Sequence, residues 1–366
     1  MDSNLFIPPE LVHIIFDHLT PHRSELHALT LTCKIFYWEA MPLLYRSMTD
    51  QGIIQFKFLT TLQDNPQLAS LVRVYHVPTH DISHGGLNWS LILLCLKQMV
   101  NLKELAYIDP FTKPKFLLPR VEEGEKMPFQ LETFIWAVKG RHKLDGVVQF
   151  LETQGKLKSL QLSCQLGERM TVETVPNLRT LDGDVDLICE ALPGRSIRNL
   201  YWREYSWRVH RPWSYFNLLF HASQLEELST LRGLSLSVGI LWRLSSTQLQ
   251  NGLYGLRNVE VLEICSSEAI SDISHIPQKF PRLKRVIIRI DVPETSLEHD
   301  NASYSTETLH TKNIPESDIL SLYEKGPHLV YVDVWVRGLY YRRWVNNNPL
   351  PGFIMIPADR TLELET

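Results

Sequence analysis

Nine short segments of one pattern run through this chain of 366 residues and constrain its fold more than any other feature. They read LKELAY from 102, LETFIW from 131, LKSLQL from 157, LRTLDG from 178, IRNLYW from 197, LRGLSL from 231, VEVLEI from 259, LKRVII from 283 and LVYVDV from 329. Successive starts lie 29, 26, 21, 19, 34, 28, 24 and 46 residues apart. LVRVYHV, from 71, reads as an irregular first member. Helix-like stretches ending in a small or polar breaker precede several of them. Examples are SLILLCLKQMV before Asn101, GVVQFLETQG before Lys156 and DILSLYEKGP before His328. Helix, turn and short strand, repeated at this interval, is the grammar of a stacked α/β array.

Alternate residues of each strand, such as Leu160 and Leu162, would point inward and pack on the neighbouring copy. One copy cannot bury that face alone, whereas a stack can. The expectation is an α/β fold with an irregular leucine-rich-repeat solenoid over 67–345, without the well-placed Asn or Cys of uniform arrays. The competing reading is a non-repetitive α/β domain rich in leucine. Residues 51–66 read as a linker helix, with Phe56, Leu59 and Leu62 on one face. Residues 293–313 are polar and read as an insertion, and 346–366 as a tail packing irregularly over the last repeat as a cap.

The first 50 residues obey a different rule. Pro8 and Pro9 suit a helix start, because the N–H that proline lacks is unpaired in a first turn anyway. Glu10 places negative charge where the helix dipole favours it. Leu11, Ile14, Ile15 and Leu19 recur at helical spacing, and Thr20-Pro21 ends the run. Ser24 is a candidate cap for a second helix carrying Leu26, Leu29, Cys33 and Phe36. Trp38, Met41, Leu43, Leu44 and Tyr45 follow, with Pro42 interrupting. So short a unit cannot hide that much apolar surface by itself. It is either a cap on a larger core or half of an interface.

The segment resembles an F-box, the adaptor-binding helical module of cullin-based ubiquitin ligases. Ile7-Pro8-Pro9-Glu10-Leu11 follows the family's opening Leu-Pro-x-Glu-Leu, with Ile for the first Leu. Ile14, Ile15 and Leu19 match its paired aliphatics and leucine. Cys33, Lys34 and Phe36 match its closing Cys-Lys/Arg-x-Phe/Trp element, and PLLYRSM at 42–48 is similar to the end of fungal F-boxes. The linker around Pro21-His22-Arg23 departs from the family in lacking an Asp-Leu step. The resemblance implies a three-helix module over 1–50 that binds a Skp-family adaptor and, through it, a cullin. By position, Pro8, Leu11, Ile15, Leu19, Leu29, Cys33 and Phe36 would make that contact. Degenerate repeats behind such a module imply the substrate-recognition subunit of an SCF-type ligase, which holds a target protein. A repeat scaffold that binds protein without a ligase role is the alternative.

Composition agrees with a globular binding protein. The 44% hydrophobic and 21% charged residues are ordinary, and a net charge of −4 gives no reason to expect nucleic acid or an acidic membrane. No secretory signal is evident at Met-Asp-Ser, and the longest apolar run, Leu91 to Leu96, is far short of a membrane span. Five scattered cysteines (33, 95, 164, 189 and 265) read as reduced and mostly buried, in the cytoplasm or nucleus. No phosphate-binding glycine loop or Gly-x-Ser-x-Gly elbow occurs, so no enzymatic activity, cofactor or metal is expected. His84-Gly85-Gly86 reads as a turn. His76, His80 and His84 are four apart, but Pro78 and the strand-like VRVYHV prevent the helix that would align them as ligands.

Two stretches interleave arginine with aromatics. One holds Trp202, Tyr205, Trp207, Arg208, Arg211 and Trp213; the other runs Tyr340-Tyr341-Arg342-Arg343-Trp344. Such residues stack on bases, anchor protein partners or fill a core. The net acidic chain favours protein, making the two stretches together candidates for the recognition surface, with the first supplying the candidate substrate-binding residues.

Overall fold

The computed structural model of the chain describes residues 8–19, 22–49, 53–77, 89–109, 118, 127–138, 143–144, 146–163, 165–166, 170–203, 226–244, 255–266, 273–290, 314–337, 340–356 and 361–362. The chain divides into two compact units, 1–168 and 169–366. Both are mixed α/β, and neither sheet closes on itself.

Unit 1 begins with α1 (Pro9–Leu19), α2 (Arg23–Thr30) and α3 (Lys34–Arg46), then β1 (Ser47–Met48). It continues with α4 (Ile53–Asp64), α5 (Pro66–Ala69), β2 (Val74–Val77), α6 (Trp89–Gln98), β3 (Glu104–Asp109) and β4 (Thr133–Val138). Next come β5 (Lys143–Leu144), α7 (Val147–Glu152), β6 (Ser159–Leu162) and β7 (Gln165–Leu166). Strands β1, β2, β3, β4 and β6 pair in that order, all parallel, while β5 and β7 form a separate pair.

Unit 2 holds β8 (Thr180–Gly183), α8 (Val185–Ala191), β9 (Asn199–Trp202), β10 (Gly233–Ser237), α9 (Val238–Leu244), β11 (Val261–Ser266) and α10 (Ile276–Lys279). It ends with β12 (Arg285–Ile290), α11 (Glu316–Lys325), β13 (Tyr331–Arg337), β14 (Tyr340–Val345), β15 (Asn348–Pro349) and β16 (Ile354–Met355). Strands β8 to β13 pair parallel in sequence order. Antiparallel β14 then turns back on β13, and β15 and β16 pair with β14.

The sequence motif sets the register. Its fourth residue pairs with the fourth residue of the next member, as Tyr75, Leu105, Phe134 and Leu160 do across unit 1. Leu181, Leu200, Leu234, Leu262, Val286 and Val332 do the same in unit 2. The first and fourth residues are buried in every member, as is the sixth. The second residue's carbonyl takes two N–H bonds from the following member, as Glu132 O does from Lys158 and Ser159, and Glu260 O from Lys284 and Arg285. A slip of one residue would turn all three buried positions outward. VRVYHV obeys the same rule from Val72, with Arg73 O accepting from Lys103 and Glu104, so it is a regular member.

Two asparagine side chains, their role unseen in the sequence, each tie one copy to the copy before it. Asn101 and Asn258 each stand one residue before a motif, and their amides donate to Ser70 O (2.8 Å) and Ser229 O (2.7 Å) of the preceding copy. Second-position charges of opposite sign also pair between neighbouring copies. Glu132 pairs with Lys103 (3.4 Å) and Lys158 (2.6 Å), and Glu260 with Arg232 (3.9 Å) and Lys284 (2.6 Å).

Several local expectations change. α2 starts at Arg23, so Ser24 lies inside its first turn. α3 runs through Pro42 without a break. The N–H missing there would have bonded the carbonyl of Trp38. In α4, Leu59 and Leu62 are buried together with Gln55 and Phe58, whereas Phe56 faces outward. Of the four cysteines described, Cys95 is buried, Cys189 and Cys265 are partly covered and Cys33 is exposed. The polar insertion at 293–313 lies outside the described residues. No helix among the described residues is long and apolar enough to cross a membrane.

Candidate functional site

The first candidate surface is the outside of α1–α3. Pro8 O accepts the N–H groups of Leu11 and Val12, which starts α1 with Pro9 in its first turn. Val12, Phe16, Leu26 and Ala40 form a small core lined by Leu19, Leu29, Phe36, Leu43 and Leu44. Phe16 meets Phe36 edge to face at 5.3 Å. Arg23 Nη1 donates to Ser47 O at 2.5 Å, and Tyr45 stacks on Phe58 at 5.7 Å, tying the three helices to β1 and α4.

With that core filled, a second apolar set remains outside. Leu11, Ile14 and Ile15 are 51%, 53% and 49% exposed, and Leu31, Ile35 and Trp38 are 75%, 68% and 71% exposed. Scattered single apolar side chains are normal, but six within so small a three-helix module are not. Of the seven residues expected to meet an adaptor, Pro8, Leu11, Ile15 and Cys33 are exposed. Leu19, Leu29 and Phe36 instead line the module's own core. Leu31, Ile35 and Trp38 were missed in the sequence reading: Ile35 and Trp38 lie three apart on α3, while Leu31 caps the end of α2.

The second candidate surface is the sheet face of unit 2. Trp202, expected on a recognition surface, is 1% exposed: it is the sixth residue of its motif and therefore points into the core. Tyr205, Trp207, Arg208, Arg211 and Trp213 lie outside the described residues. In the other aromatic–arginine stretch, Tyr341, Arg343 and Trp344 are buried, while Tyr340 and Arg342 face outward.

Fifth-position residues line the opposite face of the sheet. Asp182, Tyr201, Ser235, Glu263, Ile287 and Asp333 align across β8–β13 and continue to Arg343 on β14. Arg203 Nε donates to Asp182 at 3.2 Å. Asp333 accepts from Arg285 Nε (2.7 Å) and from Arg343 Nε (2.6 Å) and Nη2 (2.9 Å). Arg343 also sits 4.7 Å from the centroid of the Tyr331 ring. Burial pushes the Tyr201 and Tyr341 phenols up to about 12, so both stay protonated at neutral pH.

In unit 1 the corresponding row is His76, Ala106, Ile135 and Gln161. His76 Nε2 is paired with Glu104 at 2.8 Å. His80 and His84 lie outside the described residues, and no group of three or more metal-ligating side chains occurs among the described ones. No family model matches the chain, and neither does any curated protein.

Proposed function

We propose that the chain is the substrate-recognition subunit of an SCF-type ubiquitin ligase. On this reading α1–α3 bind a Skp-family adaptor, and through it a cullin, while the motif strands form a leucine-rich-repeat solenoid that carries a target protein. The observation that supports it most is the exposed set Leu11, Ile14, Ile15, Leu31, Ile35 and Trp38 around an already filled core. Burying each large aliphatic contributes on the order of 1.5–3 kcal/mol, so a few suffice for a lasting complex. The chain would act by positioning its target, with no bond made or broken by its own side chains.

Co-purification with a Skp-family adaptor tests the first half. Leu11→Asp with Ile15→Asp should abolish capture and leave the melting temperature nearly unchanged, because both side chains already face water. Phe16→Asp should unfold the module instead. Failure of the intact chain to capture adaptor, or full capture by the double variant, defeats the reading and leaves a repeat scaffold without a ligase role.

Thiol chemistry gives an independent check. Burial pushes the Cys95 thiol up to about 11, and its Sγ contacts Leu59 O at 3.3 Å. Burial, with Glu190 and Asp184 nearby, pushes Cys189 to about 11 as well. Cys33 is exposed and should alkylate well before either at neutral pH. Bound adaptor should protect it, whereas an unchanged Cys33 rate in a saturated complex would place the adaptor elsewhere.

A further inference from the structure

The aromatic–arginine stretch of β14 carries an outward face of its own. Trp344 and Arg342 stand directly opposite Val332 and Val334, the buried fourth and sixth residues of the β13 motif. Both therefore lie on the helix side of the sheet, and Tyr340 follows on that side of β14. Met355 on β16 pairs with Tyr340, and Phe353, two residues earlier, shares the side by alternation. On β8–β13 this side is buried throughout. Tyr340, Phe353 and Met355 are instead each more than half exposed. The last helix to reach this side is α11, whose Tyr323 Oη donates to Trp344 O at 2.8 Å. Among the described residues no helix follows β14.

Arg342 gives this patch its sign. Its guanidinium lies 5.1 Å from the centroid of the Trp344 ring and has no carboxylate partner among the described residues. The indole Nε1 of Trp344 is buried and has no acceptor among them either. The spot thus offers donors and a positive charge with nothing to match them, beside the aromatic and methionine side chains that protein interfaces favour. Size limits the partner. Three half-exposed side chains supply a few hundred Å² at most, whereas a stable protein pair takes roughly 800 Å² from each member. The patch alone is too small to hold two copies of the chain together. The edge limits the partner's form. β15 and β16 are joined only to β14, and Pro349, Pro351 and the left-handed Gly352 (φ +81°) interrupt them. An extended peptide would find a broken row of donors there. A helix satisfies its own backbone and needs only an apolar face and a counter-charge.

We infer that Tyr340, Arg342, Phe353 and Met355 form a docking site for one amphipathic helix of a partner protein. Its apolar stripe packs on Tyr340, Phe353 and Met355, and an acidic side chain meets Arg342. The helix lies over β14 and β16, past the point that Tyr323 of α11 reaches. Only the assignment of that helix to the target protein rests on the proposed function.

Synthetic helical peptides test the site on the full chain, with binding read by fluorescence anisotropy. The probes are a labelled set with leucines at helical spacing and one glutamate at each flanking position in turn, a matched set with lysine for that glutamate, and proline-broken versions of both. At least one glutamate probe should bind on the order of tenfold tighter than its lysine counterpart. Arg342→Glu should reverse that preference, and Phe353→Asp with Met355→Asp should abolish binding of both. All three side chains face water, so the melting temperature of each variant should match the parent's. The inference is overturned if no glutamate probe binds, if the preference survives Arg342→Glu, if binding survives the double variant, or if proline-broken probes bind as tightly as helical ones. Self-association of the chain alone that the double variant disrupts overturns it too, by giving the face to a second copy. Adaptor capture is scored separately, so its failure sinks the receptor reading and leaves the probe results standing.

Discussion

Replacing Asp333 with alanine is expected to cost unit 2 about 3–5 kcal/mol, read as a lower urea midpoint by fluorescence or by exchange of β12–β14. The carboxylate is fully buried and accepts from two guanidinium groups that are themselves nearly so. Without it, Arg285 and Arg343 lose the carboxylate that bridges them in a poorly hydrated place. The Tyr331 ring, 4.7 Å from the Arg343 guanidinium, offers a weak substitute. Replacing all three by apolar residues of similar volume should recover most of the loss, because no charge then stays buried. Equal midpoints for Asp333→Ala and the parent would show that the arginines find other partners. The cluster also stands where the sheet changes direction. Asp333 and Arg343 are directly opposite in the antiparallel β13–β14 pair, and a one-residue slip of β14 would carry Arg343 to the other face.

Much of the strand array was legible because three positions in six are apolar and the interval between copies holds a helix or turn. Position 1 ends a turn, as Leu102 does by donating to Met99 O and Leu157 by donating to Gln154 O. Positions 4 and 6 then point to the helix side, which explains why Trp202 belongs to the core despite its company of arginines. The N-terminal helices were less legible. α1 carries two apolar stripes, so periodicity alone could not tell Val12 and Phe16, which turn inward, from Leu11 and Ile15, which do not. β14 was hidden because an antiparallel return carries no copy of the motif. The burial of the fifth-position face was hidden for a deeper reason. Nothing near Tyr201 or Gly233 in sequence announces that Thr361 and Leu362 lie on them, and Glu263 in an otherwise apolar VLEIC strand reads simply as a solvent-facing residue. The alternation of polar and apolar residues describes a strand's two sides, and only the fold decides whether the second side meets water.

Trp136→Ala should destabilise unit 1 by about 3–5 kcal/mol. The indole fills the sixth position of its motif and is among the largest fully buried side chains of the chain. Its ring lies 4.6 Å from Tyr107 on β3 and 6.4 Å from Phe134, which in turn is 5.3 Å from Phe150 on α7. Trp89 on α6 extends the group through Tyr107 at 6.2 Å. One ring therefore joins two strands directly and two helices through its neighbours, and alanine would leave a hole that close-packed rings cannot shrink into. Trp136→Phe keeps a ring in the stack and should cost well under half as much. If unit 1 tolerated alanine with an unchanged urea midpoint, the aromatic group would be a loose filling. The strand spacing would then have to come from the backbone ladder alone. With Trp136→Ala, adaptor capture should fall only in proportion to the unfolded fraction, since α1–α3 keep their own core of Val12, Phe16, Leu26 and Ala40. A loss of capture in chains that remain folded would instead place Trp136 among the groups that shape the adaptor surface.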